Sequence, residues 1–184
     1  MRRFSAAILL LLFLLSGCTP QETALSPAIE FRAALANGCR FHAQVSAVFG
    51  ETVASFAMDC ETDSDGVLRL TVTEPETLSG ITATVKNGGG TITYDGMALE
   101  FGLLANGNVI PAAAPAIAAD CWSRAYIASA GQEDALYRVT YEKDFDEKRL
   151  VTDTWFENGV PICAEVCYNG QRILKILISS FTLN

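Results

Sequence analysis

Six cysteines and one histidine are the side chains in this chain best suited to covalent or metal chemistry. Cys18 stands apart from the rest. It follows Leu15-Ser16-Gly17 at the end of an apolar run, Ala6 to Leu15, which is preceded by Arg2 and Arg3. A positive n-region, a short h-region and small residues before the cleavage point make a secretory leader. The run is shorter than the roughly 20 residues a membrane-spanning helix needs. The Leu-Ser-Gly-Cys segment resembles a bacterial lipobox, and its thiol is the atom that would take a diacylglyceryl group. Residues 1–17 are then a signal peptide, and residues 18–27 hold the lipidated Cys18 and a short polar linker with Pro20 and Pro27. Two or more acyl chains hold a domain on a membrane where one binds only reversibly. The expected location is the extracytoplasmic face of a cell membrane, through the Cys18 lipid.

The other five cysteines are Cys39, Cys60, Cys121, Cys163 and Cys167. Export permits disulfides, and an odd number leaves at least one thiol unpaired within the chain. One pair follows from register. Residues 41–48 and 51–60 both alternate, and a two-residue turn at Phe49-Gly50 sets Phe41 opposite Met58 and Val45 opposite Ala54. That brings the two apolar faces together. The same register sets Cys39 opposite Cys60 in a non-hydrogen-bonded pair, where a disulfide is feasible. Two buried free thiols are the alternative. Cys163 and Cys167 share a strand face but lie about 13 Å apart, too far to bond or to chelate one zinc. Either could reach Cys121.

The remaining polar groups make weaker sites. His42 alternates with Arg40, Gln44 and Ser46 on a polar strand face, with no nucleophile assembled around it. Glu61 to Gly66 looks like the start of a calcium loop, but Val72 stands where the twelfth-position glutamate belongs. The acidic pairs Glu74/Glu76, Glu133/Asp134 and Asp144/Asp146/Glu147 sit in turn-like segments and read as solvated. Asn87 to Gly90 lacks the Lys-Ser/Thr of a phosphate loop. No catalytic residue, metal or cofactor is expected.

These side chains must be positioned by a mostly β domain. Half of the 184 residues are apolar, which excludes a disordered chain. The net charge is −8, and removing the leader with its two arginines makes it −10, which argues against nucleic-acid binding. Residues 28–36 read as a helix closed by Asn37-Gly38. Strands follow at 39–49, 51–60, 67–74, 81–86, 90–94 and 97–103. The turns between them are Asp63 to Gly66, Asn87-Gly88-Gly89 and Tyr94-Asp95-Gly96. Residues 110–120 break the β pattern, with a helix from near Pro115 to Trp122, and residues 124–129 suit either helix or strand. Strands resume at 135–142, 149–156, 161–168 and 172–182. Short antiparallel strands in this order suggest a barrel or curved sheet covered by helices. Residues 28–184 form one domain.

The order and spacing resemble the LolA/LolB-like lipoprotein-carrier superfamily, and most closely small lipoproteins of Firmicutes that include spore-germination lipoproteins. The resemblance is carried by Leu68 to Val72, Glu74-Pro75-Glu76, Leu78-Ser79-Gly80, Thr91 to Gly96 with the strand after it, and the hairpin Pro161 to Phe181. It implies an α+β fold, an open antiparallel half-barrel of about ten strands with short helices on its concave face. It implies a non-catalytic protein that binds an apolar or acyl-chain ligand, such as a lipid or lipoprotein acyl chain. The soluble carriers lack a lipobox, so Cys18 points instead to an anchored acceptor. The alternative is a partner-binding lipoprotein that positions or stabilises an envelope or spore-cortex enzyme. Phe41, Phe56, Met58, Leu70, Val72, Ile92, Tyr94, Trp122 and Trp155 are candidates to line the cavity, and simple core packing is their other use.

Overall fold

The computed structural model describes residues 20–49, 52–102, 104–105, 108–145 and 148–184. The expected leader, residues 1–17, and the lipidation candidate Cys18 lie outside the described residues.

The chain begins with helix α1 (Pro20–Ala34), which runs into a 3-10 turn (Leu35–Asn37). The segment expected as a linker is therefore helical from Pro20. Ala28, Phe31 and Leu35 are buried, one stripe at helical spacing. Gly38 ends the helix at φ +91°, and a Cβ there would lie 2.0 Å from the Thr62 carbonyl oxygen, so only glycine fits.

Six strands follow as a meander: β1 (Cys39–Phe49), β2 (Thr52–Thr62), β3 (Leu68–Glu74), β4 (Thr82–Lys86), β5 (Gly89–Tyr94) and β6 (Met97–Gly102). A small hairpin, β7 (Leu104–Ala105) and β8 (Asn108–Val109), leads to helix α2 (Ala114–Arg124). A second meander completes the chain: β9 (Tyr126–Glu133), β10 (Leu136–Phe145), β11 (Lys148–Glu157), β12 (Val160–Tyr168) and β13 (Gln171–Leu183). The ambiguous segment after Arg124 thus resolves to strand from Tyr126.

The meanders join where β1 pairs antiparallel with β13. The result is one eleven-stranded antiparallel sheet, ordered β6-β5-β4-β3-β2-β1-β13-β12-β11-β10-β9. It is an open half-barrel, with β6 and β9 as its edges. Among the described residues, four tight turns have two consecutive residues at positive φ: Asn87-Gly88, Asp95-Gly96, Asn158-Gly159 and Asn169-Gly170. That backbone matches the twist of the strands it joins.

The β1–β2 register differs from the expected one by two residues. Phe41 faces Cys60, Ala43 faces Met58 and Val45 faces Phe56. A two-residue slip keeps every side chain on its face, so the apolar faces still coincide. It does separate Cys39 from Cys60. Cys39 instead meets Thr62, whose Oγ1 accepts the Cys39 N–H at 2.9 Å and lies 3.3 Å from its Sγ. The expected Cys39–Cys60 disulfide is absent, and both thiols are free.

Cys121, Cys163 and Cys167 are free as well. Cys121 is buried in α2, on the inner face of the sheet. Cys163 and Cys167 alternate with the buried Ala164, Val166 and Tyr168 and so face outward. The sheet itself separates them from Cys121, and neither can reach it.

Helix α2 is buried on nearly every side. Ala114, Ala116, Ala118 and Ala119 bring it close to the sheet, and Pro115 sits in its first turn. Two of its buried side chains, Trp122 and Cys121, find polar partners on β11. Trp122 Nε1 donates to Thr154 Oγ1 at 3.0 Å, and the Cys121 thiol donates to Thr152 Oγ1 at 3.4 Å. Thr152 and Thr154 are fully buried, and these bonds give each hydroxyl a partner. Around Trp122 stand Phe31, Phe41 and Phe181, with ring centroids 5.6 to 6.2 Å away.

Candidate functional site: a charged-rimmed cleft beneath helix α2

Helix α1 is fastened to α2 by one side chain. Arg32 donates from Nε to the Trp122 carbonyl at 2.9 Å, and from Nη2 to the Ala125 carbonyl at 2.6 Å and the Cys121 carbonyl at 3.4 Å. These carbonyls lie at the C-terminal end of α2, where a cation is favoured, and that of Cys121 also accepts the Ala125 N–H at 3.2 Å. The Arg32 guanidinium also lies 5.9 Å from the centre of the Tyr141 ring.

Beside this contact opens a cleft of about 950 Å3. One wall is the exposed side of α2 and the end of α1. The opposite walls come from both halves of the sheet: the β2–β3 and β4–β5 turns on one side, Lys143 and Leu150 on the other. Leu35, Leu68, Val85, Ile117 and Leu150 make its apolar part. Arg32, Lys86, Arg124 and Lys143 supply positive charge, with Asp63, Asp65 and Asp120 between them.

Each of those aspartates except Asp65 already has partners. Asp120 accepts from Arg124 Nε at 2.7 Å and pairs with Lys143. Asp63 closes its own turn, accepting the N–H groups of Asp65 at 3.1 Å and Val67 at 3.0 Å, and pairs with Arg69 at 3.0 Å. The Val67 N–H, with help from Arg69 and Asp65, holds the Asp63 carboxyl below the usual carboxylate range. The segment that looked like a calcium loop is thus a self-satisfied turn.

None of the nine expected cavity residues lines this cleft. Phe41, Met58, Leu70, Val72 and Trp122 are core residues, and Phe56 and Ile92 pack half-buried against them. Tyr94 is 50% exposed near the β6 edge. Trp155 alternates with the buried Thr154 and Phe156 and so lies on the outer face. There its Nε1 donates to Glu133 at 3.1 Å and its ring lies 5.2 Å from the Arg138 guanidinium.

The residues that do line the cleft were missed because most are charged or come from turns, which read as solvated surface. Leu35, Val85 and Leu150 were legible as apolar positions, but their convergence from the turn after α1, from β4 and from β11 is a tertiary fact.

His42 sits on the outer face, its Nδ1 2.8 Å from Asp59 Oδ1. Glu74, Glu76, Glu133 and Asp134 are exposed, and Asp146 and Glu147 lie outside the described residues. Among the described residues no three potential ligands gather as a metal site. Among them, too, no helix is long and apolar enough to cross a membrane.

No family model matches the sequence, and no curated protein matches it. Solved structures are similar in shape. A LolA superfamily protein from Nitrosomonas europaea is 11% identical, with 91% of this chain and 94% of that one covered, at a TM-score of 0.49. A putative outer membrane lipoprotein-sorting protein domain from Vibrio parahaemolyticus is 7% identical over 89% and 93%, at 0.42. The lipoprotein LppX of Mycobacterium tuberculosis is 7% identical over 88% and 96%, at 0.43. The first of these bears the family name that the sequence motifs resemble. At such identities and scores they carry no argument about ligand or activity.

Proposed function

We propose that this chain is a non-catalytic, membrane-anchored lipoprotein of the extracytoplasmic side, and that it binds the apolar or acyl part of a ligand in the cleft beneath α2. The observation that carries the reading is the cleft itself. Its volume of about 950 Å3 suits a small ligand, since such sites usually measure about 300–1,000 Å3. Its apolar part is contributed by the 3-10 turn after α1, by α2 and by both halves of the sheet, so a ligand there would replace water over the seam of the fold. Cys18, once lipidated, would keep the cleft near the membrane.

Native mass spectrometry with lipid extraction tests this on the Cys18→Ser chain, which cannot be lipidated, purified gently from a bacterial host. The expected result is a stoichiometric acyl species that leaves on extraction. A clean unliganded mass, together with no uptake of added lipids, would refute the reading.

A second reading is favoured by the β5–β6 hairpin, where Met97 is 69% and Leu99 68% exposed beside Tyr94. An apolar edge of that kind suits a partner protein, such as an envelope enzyme that the chain positions or stabilises. Loss of a co-purifying enzyme on Leu99→Glu, with lipid uptake unchanged, would support it.

A further inference from the structure

We infer that the cleft selects an amphiphile with an acidic head, a carboxylate or a phosphate ester on a single apolar chain. The inference rests on the reading above that the cleft is the binding site, and it adds the chemistry of the head group.

The charge distribution points there. The chain as a whole carries −8, yet four cationic and three anionic side chains line the cleft. The anions are largely spent. Asp63 is held by its own turn and by Arg69, and Asp120 is shared between Arg124 and Lys143. Lys86 and Arg32 make no ion pair with a carboxylate among the described residues. Arg32 uses Nε and Nη2 on the α2 carbonyls, and its Nη1 makes no hydrogen bond among the described residues. That leaves one nitrogen of a part-buried guanidinium, Nη1, to meet one oxygen of an anion.

The apolar residues border these cations within the same hollow. Leu35 lies about one turn beyond Arg32, and Lys86 stands at the rim, at the end of β4 beyond the inward-facing Val85. A ligand that satisfies both linings must join an anion to an apolar chain. A cationic head would leave Arg32 and Lys86 facing like charge, which opposes binding. A bare anion would leave the apolar part hydrated.

Isothermal titration of the Cys18→Ser chain distinguishes these cases. The probes are dodecanoate, dodecyl phosphate, dodecanol, dodecyltrimethylammonium, acetate and inorganic phosphate. The acidic amphiphiles should bind about tenfold more tightly than dodecanol, the worth of one good ion pair in a partly dry site. Arg32→Gln should weaken dodecanoate about tenfold and leave dodecanol within about twofold, and Lys86→Gln, at the rim, should weaken dodecanoate alone by about threefold. Lys86 is at the surface, so its variant tests the inference without loosening α1 from α2, and an unchanged thermal midpoint checks its folding.

Equal affinity for dodecanoate and dodecanol, or no effect of either variant on dodecanoate, would overturn the acidic-head inference and leave the cleft reading standing. Tight binding of acetate or phosphate alone would overturn the amphiphile and show a plain anion site. Binding of none of the probes would overturn both.

Discussion

The two meanders share a sheet but differ in how they are held. The strands of the second, β9 to β13, run 8 to 13 residues and bury Val139, Tyr141, Ala164, Val166 and Ile176 under the two helices. The first meander starts as strongly, with Phe41, Ala43, Val45 and Met58 buried, and then thins. Its last three strands are 5 or 6 residues long, and β6 is exposed at nearly every position. The edges differ too. Helix α1 reaches the β9 side, where the Tyr137 hydroxyl donates to the Ala24 carbonyl at 2.5 Å. No described helix covers β6. Apolar side chains there are a liability in a free edge strand unless something binds it. The comparison places stability at the β1–β13 seam and around α2, and leaves the β5–β6 hairpin as the compliant end.

The largest test strikes the seam. Trp122→Ala would remove a fully buried ring, its contacts with three phenylalanines and its bond to Thr154. The expected loss is about 3–5 kcal/mol, read from urea unfolding. A loss near 1 kcal/mol would mean that the seam is not the stable centre.

Arg32→Gln comes next. It deletes a charge and the hydrogen bonds that fasten α1 to α2, and should cost about 2–3 kcal/mol. Hydrogen exchange should show α2 and its C-terminal carbonyl partners loosening before β12 or β13 does.

Alkaline pH probes the same centre through its thiols. Burial pushes the Cys121 thiol up to about 11, and it raises Cys39 and Cys60 as well. An unfolded cysteine ionises near about 8.5. The folded state therefore holds protons that the unfolded state releases, and stability falls as pH rises above that value, up to the folded pKa. The slope is at most about 1.4 kcal/mol per pH unit for each such thiol. Cys121→Ser should flatten the decline measured by thermal melts between pH 8 and pH 10; an unchanged slope would contradict burial of that thiol.

The smallest effects belong to the compliant end. A Cβ at Gly90 would meet the Phe101 ring at 2.6 Å and the Thr84 carbonyl at 2.9 Å, so Gly90→Ala should cost about 1–3 kcal/mol, confined to β4–β6. Leu99→Ser should change stability by no more than about 0.5 kcal/mol. Its neighbours in β5 and β6 should already exchange amide protons faster than β10 to β12. Equal protection in the two regions would erase the contrast.

Much of the fold was legible because it is local. Alternation in residues 39–49 and 161–168 marks strands, Asn-Gly pairs mark hairpin turns, and Gly38 marks a helix end, each through one residue's backbone or one strand's faces. The half-barrel reading drew further on motif order. Two errors show the limit of local signals. Faces were assigned correctly across β1 and β2, yet the register slipped by two residues, because such a slip leaves the face pattern unchanged while moving Cys60 from Cys39 to Phe41. Trp155 looked like a cavity residue by type, but its neighbours Thr154 and Phe156 took the inner face. The alternation Leu150-Thr152-Thr154-Phe156 held that information, but two threonines did not announce a buried face until α2 supplied their donors.

The sequence by itself determined most of the elements, the faces of most strands and the acidic character, because period, turn chemistry and charge are properties of neighbouring residues. The tertiary structure alone decided which apolar residues close into core and which border an open cleft. That choice depends on how far two halves of a sheet stand apart and where a buried helix lies between them. It brought Arg32, Lys86, Arg124 and Lys143 to one hollow from four separate elements. Side chains so far apart in the chain are joined only by folding, and no local pattern records that they will meet.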